Sequence, residues 1–584
     1  MRAPSISTIA IALAIATAAS ASVTVTAVAS PAPSGSNTRQ ALPSGATIVD
    51  SARAAAFAQA PETGLTEQSG LVATDVLIDQ DGKQHVRFSQ TYRGIPVVGA
   101  DIVVHLTTKG GYVGVTRACD QPVSVPTVAP KVTAEQARVR AASVVSNGAA
   151  ATPRLIVHAQ HGTSILAYQV QVEVDGDATA SHSVLLDAGT GSVVSDVAAL
   201  DGIISPKLAK KLKALGKSAT AGGQSTGGKA AGQAASTPAV GSGLSMYSGT
   251  VTLNTTRSKT YTLIDGTRGN AEVRNANNKA LSESRVFSGS SAMTDSDNTW
   301  GNGTTSDVNT AGVDAQYGLT STFDFYKNTF GRNGILNDGT GPHGVVHYAR
   351  NYGNAGWSDG CWCMVYGDGD GVTFTKPLTQ LDVTGHELTH GVVSATAGLE
   401  TDYNAYGDQI GEPGSLNESL ADIFGTAVEF TTNNAAHAPN YLMGEQLGLA
   451  QGFLRRLDHP SLDKLEGTVD YWSTNAPQTE VHAGSGVSSH AFYLLAEGSG
   501  SKTINGVSYN SATYDGSTVT GIGRDKAVAI YYQALTRYMV SSTDFHDART
   551  ATLQAAADLY GQGSTEYNTV NKAWAAVNVT ADNG

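Results

Sequence analysis

The spacing of apolar residues changes twice along the chain. In residues 30–215, short runs in which apolar and polar positions alternate predict strands over Thr74–Ile78, His85–Tyr92, Ile102–Leu106, Ile165–Val174 and Ser183–Asp187. Between them, Ala134–Val145 has the spacing of a helix. Residues 216–243 carry no such pattern. They are rich in Gly, Ala, Ser, Gln and Thr, too poor in apolar surface to order themselves, and are expected to form a flexible linker holding the maturation site. Residues 244–381 are rich in Gly, Asn and Asp, with short β-type runs such as Thr250–Leu253 and Thr260–Ile264. From residue 382 to 584 the period becomes helical, over Val383–Ala397, Leu416–Phe430, Ser488–Glu497, Asp525–Tyr538 and Phe545–Leu559. An α+β protein is expected: an α/β region, a linker, a β-rich lobe and a helical lobe, with a cleft between the lobes.

The N-terminus modifies this picture. Arg2, the apolar run Ile9–Ile15 and the small-residue sites Ala19-Ser20-Ala21 and Ala27-Val28-Ala29 read as a signal peptide over residues 1–29. No other stretch approaches the ~20 apolar residues needed to span a bilayer. Secretion is therefore expected, with no membrane association once the leader is gone. The net charge of −13, without a long Lys/Arg run, disfavours nucleic acid as a partner. With 41% hydrophobic residues the chain can bury a large core, and a monomer is the default expectation. The three cysteines are too few for a disulfide scaffold, but Cys361 and Cys363 can pair in an oxidising compartment. Gly223-Gln224-Ser225-Thr226-Gly227 has the letters of a serine-hydrolase elbow without the flanking strand and helix, and is set aside.

The candidate chemistry lies in the helical lobe. His386-Glu387-Leu388-Thr389-His390 puts two imidazoles one turn apart on a helix face, where both can reach one metal ion, with Glu387 beside it as a base. A catalytic zinc takes three protein ligands and leaves one position open. The variant with a glycine and third histidine downstream is excluded, because Val393 and Thr396 stand at those places. Instead, Gly414 to Asp422 opens a second amphipathic helix. On one of its faces Glu418 can ligate the metal and Asp422 can accept the free N–H of a ligand histidine.

HELTH followed by GSLNESLAD resembles the thermolysin-like neutral metalloproteases of bacteria. The resemblance extends over roughly residues 245–584, through Met364–Gly371, Asn354–Trp357, Leu454–Pro460 and Val481–Gly486. Phe88–Val97 is similar to the propeptide of the same family. The resemblance implies a two-lobed zincin made as an inactive precursor, its own propeptide serving as intramolecular inhibitor and its substrates being proteins and peptides. It implies one zinc on His386, His390 and Glu418, Glu387 as the base, and His482 as donor to the developing oxyanion. Asn354, the Ala355 carbonyl and Arg455 would hold the substrate backbone. Phe374, Val383 and Leu454 would line an apolar pocket for a bulky hydrophobic side chain after the cut.

Three departures accompany the resemblance. The aspartate usual before the second histidine is replaced by Pro477, with Glu480 nearby. An insertion between Gly398 and Gly414 displaces the tyrosine that assists the oxyanion, leaving Tyr403 and Tyr406 as candidates. The calcium ligands are partial: Asp382, Glu429, Glu445 and Asn440 match one structural site, while Leu442 replaces a further carboxylate. One calcium is expected there, and Asp295 with Asp297 resembles another calcium loop. The competing reading is a secreted binding protein on a catalytically dead metalloprotease scaffold, which would be free to lose Glu387.

Overall fold

The computed structural model describes residues 46–160, 162–216, 236–404 and 407–584. The signal-peptide reading and the Gly223–Gly227 pattern lie outside the described residues. No helix among them is long and apolar enough to cross a membrane.

The N-terminal region folds as expected from its alternation. A twisted sheet carries the strands Gln84–Tyr92, Ile102–Leu106, Thr163–Val174 and Asp177–Asp187, which contain or coincide with four of the runs read from sequence. The helix Ala134–Val144 begins at a capping box, in which the Thr133 hydroxyl accepts from the Gln136 amide and the Gln136 side chain accepts in return. Beyond it, one sheet of the β-rich lobe runs in the order Asp201–Gly202, Ala355–Ser358, Cys363–Tyr366, His343–Val346, Ala271–Asn275 and Ile264–Asp265. A five-stranded sheet lies beside it. Cys361 and Cys363 are disulfide-bonded, and Cys119 is a buried free thiol.

Three sequence expectations need correction. The stretch taken as linker to residue 243 enters a strand at Thr237, which pairs along Thr250–Arg257. Its glycines reflect close packing: a Cβ on Gly243 would lie 2.5 Å from the Val313 side chain. The division at residue 215 is not a division in packing, since Ile203, Ile204, Leu208 and Leu212 belong to the catalytic core. The lobe read as β-rich also contains the 22-residue helix Asn309–Phe330. That helix ends in a left-handed Gly331, whose N–H reaches Lys327 while Arg332 N–H reaches Tyr326.

The helical lobe follows its periodicity closely, with helices Leu381–Ser394, Glu412–Thr432, Gly486–Ala496, Arg524–Gln533 and Phe545–Tyr560. The fourth passes into a π turn over Ala534–Tyr538, where a continuous α-helix was expected. The first two pack with almost no side chain between them at one point. A Cβ on Gly385 would lie 3.0 Å from Gly425 Cα, and one on Gly425 would lie 2.6 Å from the Asp382 carbonyl oxygen. This backbone contact lets short side chains from both helices meet.

Candidate metal centre and substrate cleft

His386 and His390 sit on the helix Leu381–Ser394, and Glu418 on the helix Glu412–Thr432; all three are buried. His386 Nδ1 donates to Asp422 at 2.8 Å and His390 Nδ1 to the Asn417 side-chain oxygen at 3.0 Å. Each ring, with its proton on Nδ1, turns an Nε2 lone pair inward. The two Nε2 atoms stand 3.0 Å apart, with Glu418 oxygens 3.4 Å from His386 Nε2 and 3.7 Å from His390 Nε2. Two facing lone pairs repel unless a cation lies between them. Nitrogens about 2.05 Å from a tetrahedral zinc would be about 3.3 Å apart, close to the spacing found. Glu418 Oε2 is buried without a hydrogen-bond partner, which the same cation would satisfy. The donor set therefore fits zinc. Asn417 had not been identified from sequence, although its position one residue before Glu418 on an inward helix face was the available signal.

Glu387 is fully buried beside this cluster. Its Oε2 accepts from the Trp357 backbone N–H at 3.0 Å, and its Oε1 has no partner. Burial pushes its pKa up to about 8; His386 opposes this, while Glu418 and Asp201 add to it. Asp422 also accepts from Arg455, through two bonds of 2.8 Å, so one carboxylate orients both a ligand histidine and the arginine. Burial would raise Asp422, but the Arg455 and His386 charges bring its pKa down to about 2.

His482 resolves the question raised by Pro477. Its Nδ1 lies 2.8 Å from Glu480 Oε1, so Glu480 occupies the orienting role, while Pro477 sits in the short turn Ala476–Gln478. The other Glu480 oxygen caps the following helix, accepting from the amides of His482 and Ala483. His482 Nε2 lies 2.8 Å from the carbonyl oxygen of Gly202. Both ring nitrogens thus face acceptors and both must donate, which makes the ring a cation. Burial disfavours that charge, but Glu418 and Glu480 outweigh it and hold the pKa well above the ordinary value.

The remaining cleft residues converge on the same segment of the chain's own N-terminal region. The strand Asp201–Gly202 pairs antiparallel with Ala355–Ser358. Ile203 N–H donates to the Ala355 carbonyl at 3.1 Å, and Arg455 donates to the Ile203 carbonyl at 2.6 Å. The Asn354 side chain accepts from Ile204 N–H and donates to the Ile204 carbonyl, both at 3.3 Å. Ile203, Phe374, Val383 and Leu454 are fully buried in one apolar cluster. Asp370 steadies the Phe374 loop by accepting from the amides of Val372, Thr373 and Phe374. Tyr403 accepts from Gln409 at 3.3 Å, whereas Tyr406 lies outside the described residues.

The residues read as calcium ligands also meet. Glu429 accepts from Asn440 N–H, Glu445 accepts from the Asn440 side chain, and Asp382 accepts from Gly444 N–H. Burial and the neighbouring Glu445 push Asp382 up to about 8. His437, not identified from sequence, joins Glu429 and Glu445 as a third group with metal-ligand spacing and contacts Glu445 directly. Asp295 and Asp297 instead accept from backbone amides of their own turn. Among the described residues no third carboxylate, histidine or cysteine joins them at that spacing.

Comparison with known proteins agrees with this arrangement. The thermolysin metallopeptidase catalytic domain matches residues 240–394, its alpha-helical domain residues 408–579, and the fungalysin/thermolysin propeptide motif residues 69–118. The chain is 40% identical over 91% of its length to a transglutaminase-activating metalloprotease of Streptomyces mobaraensis, spanning 64% of that relative. It is 33% identical to bacillolysin of Bacillus cereus, over 85% of this chain and 82% of that one. It is also 33% identical to thermolysin of Alicyclobacillus acidocaldarius subsp. acidocaldarius, over 86% and 84% respectively. With both catalytic domains, the propeptide motif and the clustered histidines and glutamate in place, the chain belongs to the thermolysin family of metallopeptidases.

Proposed function

We propose that the protein is a secreted zinc endopeptidase, made as a precursor whose N-terminal region occupies and blocks the cleft. One observation carries the reading: the Nε2 atoms of two histidines face each other at 3.0 Å beside Glu418, next to a buried Glu387 oxygen with no partner. His386, His390 and Glu418 would hold the zinc. When bound it supplies Lewis-acid polarisation of the scissile carbonyl and lowers the pKa of water. Glu387 takes the proton of the attacking water and delivers it to the leaving amine. His482, kept charged by Glu480, donates to the oxygen that gains charge; such a donor is commonly worth roughly 10²–10³ in rate.

Asn354, Ala355 and Arg455 hold the peptide backbone in line. The apolar surface of Phe374, Val383 and Leu454 favours a bulky hydrophobic residue after the cut. Asp382, Glu429, Asn440 and Glu445 would hold one calcium, which would supply structural support between the histidine helix and the loop at residues 440–445. Secretion accords with the Cys361–Cys363 disulfide, which an oxidising compartment would preserve.

Replacing Glu387 with Gln tests the mechanism. Casein cleavage should fall by at least about 10³ while bound zinc, measured by metal analysis, stays at one per chain. Retained cleavage would remove Glu387 from the mechanism, and loss of zinc binding would make it a structural residue.

A further inference from the structure

We infer that the first cut of the precursor falls at the Gly202–Ile203 bond. This rests on the endopeptidase reading above and adds the bond on which it acts. The sequence directs attention to the low-complexity stretch 216–243, but the cleft grips a different place. From the Gly202 carbonyl to the Ile204 carbonyl, each backbone group is held by a residue of the cleft. The Gly202 carbonyl oxygen lies against His482 Nε2 at 2.8 Å, the Ile203 N–H on the Ala355 carbonyl at 3.1 Å, and the Ile203 carbonyl on Arg455 at 2.6 Å. Asn354 holds both backbone groups of Ile204. Within residues 201–204, the Gly202 carbonyl is the one that the His482 imidazole meets.

The side chains agree with this register. Ile203, the residue after the bond, is fully buried in the cluster that contains Phe374, Val383 and Leu454. Gly202 has little room for a side chain, since a Cβ there would lie 2.6 Å from Asn354 Nδ2 and 3.2 Å from the Ala355 carbonyl oxygen. Asp201 pairs with Trp357, the residue whose N–H holds Glu387, so the base stands alongside this strand pair.

Both flanks are anchored. Upstream, Leu200 is buried against the β-rich lobe in a cluster with Val345 and Tyr348. Downstream, Ser205 donates to Glu466 through its amide and its hydroxyl, both at 2.8 Å, and its hydroxyl caps the helix Pro206–Gly216 by accepting from Leu208 N–H. A peptide anchored on both sides and held from the Gly202 carbonyl to the Ile204 carbonyl has lost most of the freedom it must give up to react.

The step is a hydrolysis. The oxygen of one water bonds to the Gly202 carbonyl carbon as the bond to the Ile203 nitrogen breaks. Glu387 carries one water proton to that nitrogen, and the second proton passes from the new Gly202 acid to the new amine. The products are a chain ending in a Gly202 carboxylate and one beginning with an Ile203 ammonium. A cut within residues 216–243 is then a later and separate event.

The test follows the purified full-length precursor from zinc addition, by intact mass and N-terminal sequencing, with casein cleavage measured on the same samples. The first new N-terminus should be Ile203, and its half-time should not change on tenfold dilution, as for an intramolecular cut. Ile203→Leu should be cut at the same bond, and Ile203→Asp at least about tenfold more slowly, because a carboxylate must enter an apolar pocket. In the Glu387→Gln precursor, which should fold and stay uncut, the Ile203 amide should be protected from hydrogen exchange. A first N-terminus elsewhere in a casein-cleaving preparation, a half-time that lengthens on dilution, or an unprotected Ile203 amide overturns the inference and leaves the endopeptidase reading standing. A precursor that cleaves neither itself nor casein overturns both.

Discussion

Along its outer flank the N-terminal region meets the helical lobe through side chains, whereas in the cleft it is held by its backbone. On the flank, the nearly buried Arg87 donates to the Met539 carbonyl at 2.8 Å and to Asp101 at 3.1 Å, and Asp101 in turn accepts from Ser541. Asp79 pairs with Arg537 at 2.7 Å and Lys83 with Asp558 at 3.0 Å. In the cleft, Ala355, Arg455, Asn354 and His482 take main-chain groups that any peptide offers. The flank contacts depend on particular side chains of both partners. The cleft contact is generic, as a site for many substrates must be, and is open to its own reaction. A precursor needs both: a lasting grip that identifies the partner, and a blocking segment that can be removed.

Arg455→Ala should separate the two surfaces most sharply. It removes a donor from the cleft and strands the buried Asp422 carboxylate. Casein kcat/KM should fall by about 10²–10³ and folding stability by about 3–5 kcal/mol, read by steady-state kinetics and thermal melts. An unchanged melt would show that Asp422 does not depend on the arginine.

Arg87→Ala attacks the flank alone. In the uncut Glu387→Gln precursor, amide exchange over the strand Ile102–Leu106 should rise about 10²-fold while the Ile203 amide keeps its protection. Loss of both protections together would mean the two surfaces act as one.

Glu480→Gln keeps an oxygen to cap the helix but removes the charge facing His482. Turnover should drop about 10- to 100-fold with KM nearly constant. A change confined to KM would assign Glu480 to binding rather than to the donor. The smallest effect is expected from Lys83→Ala, since its pair with Asp558 is partly exposed. Interface stability should change by at most about 1 kcal/mol, less in high salt.

The sequence disclosed this site unevenly, for physical reasons. Two histidines four residues apart, and a glutamate and aspartate four apart on a second amphipathic helix, map directly onto helix faces, so His386, His390, Glu418 and Asp422 could be placed without coordinates. The helix Asn309–Phe330 could not. It is buried around much of its circumference, with Asp314 bonded inside to Ser245 and Met246 and Gln316 Nε2 to the Ala271 carbonyl, so no polar stripe marks its period. The strand at Thr237–Leu244 was hidden because glycine and serine composition mimics a linker when the real cause is crowding. Asp201–Ile204 has no local signature, because its meaning comes from residues 150 or more positions away. Glu480 was visible as a carboxylate but not as the partner of His482, since a turn had to bring it round.

Gly385 and Gly425 let two helices touch at one point, beside His386 and two turns from Glu418. A single methyl group at either glycine would act as a wedge, splaying the glutamate away from the imidazoles without altering any of them. Metal affinity in this enzyme is therefore set partly by the absence of two side chains, and drift there would silence it while every recognisable catalytic letter stayed in place.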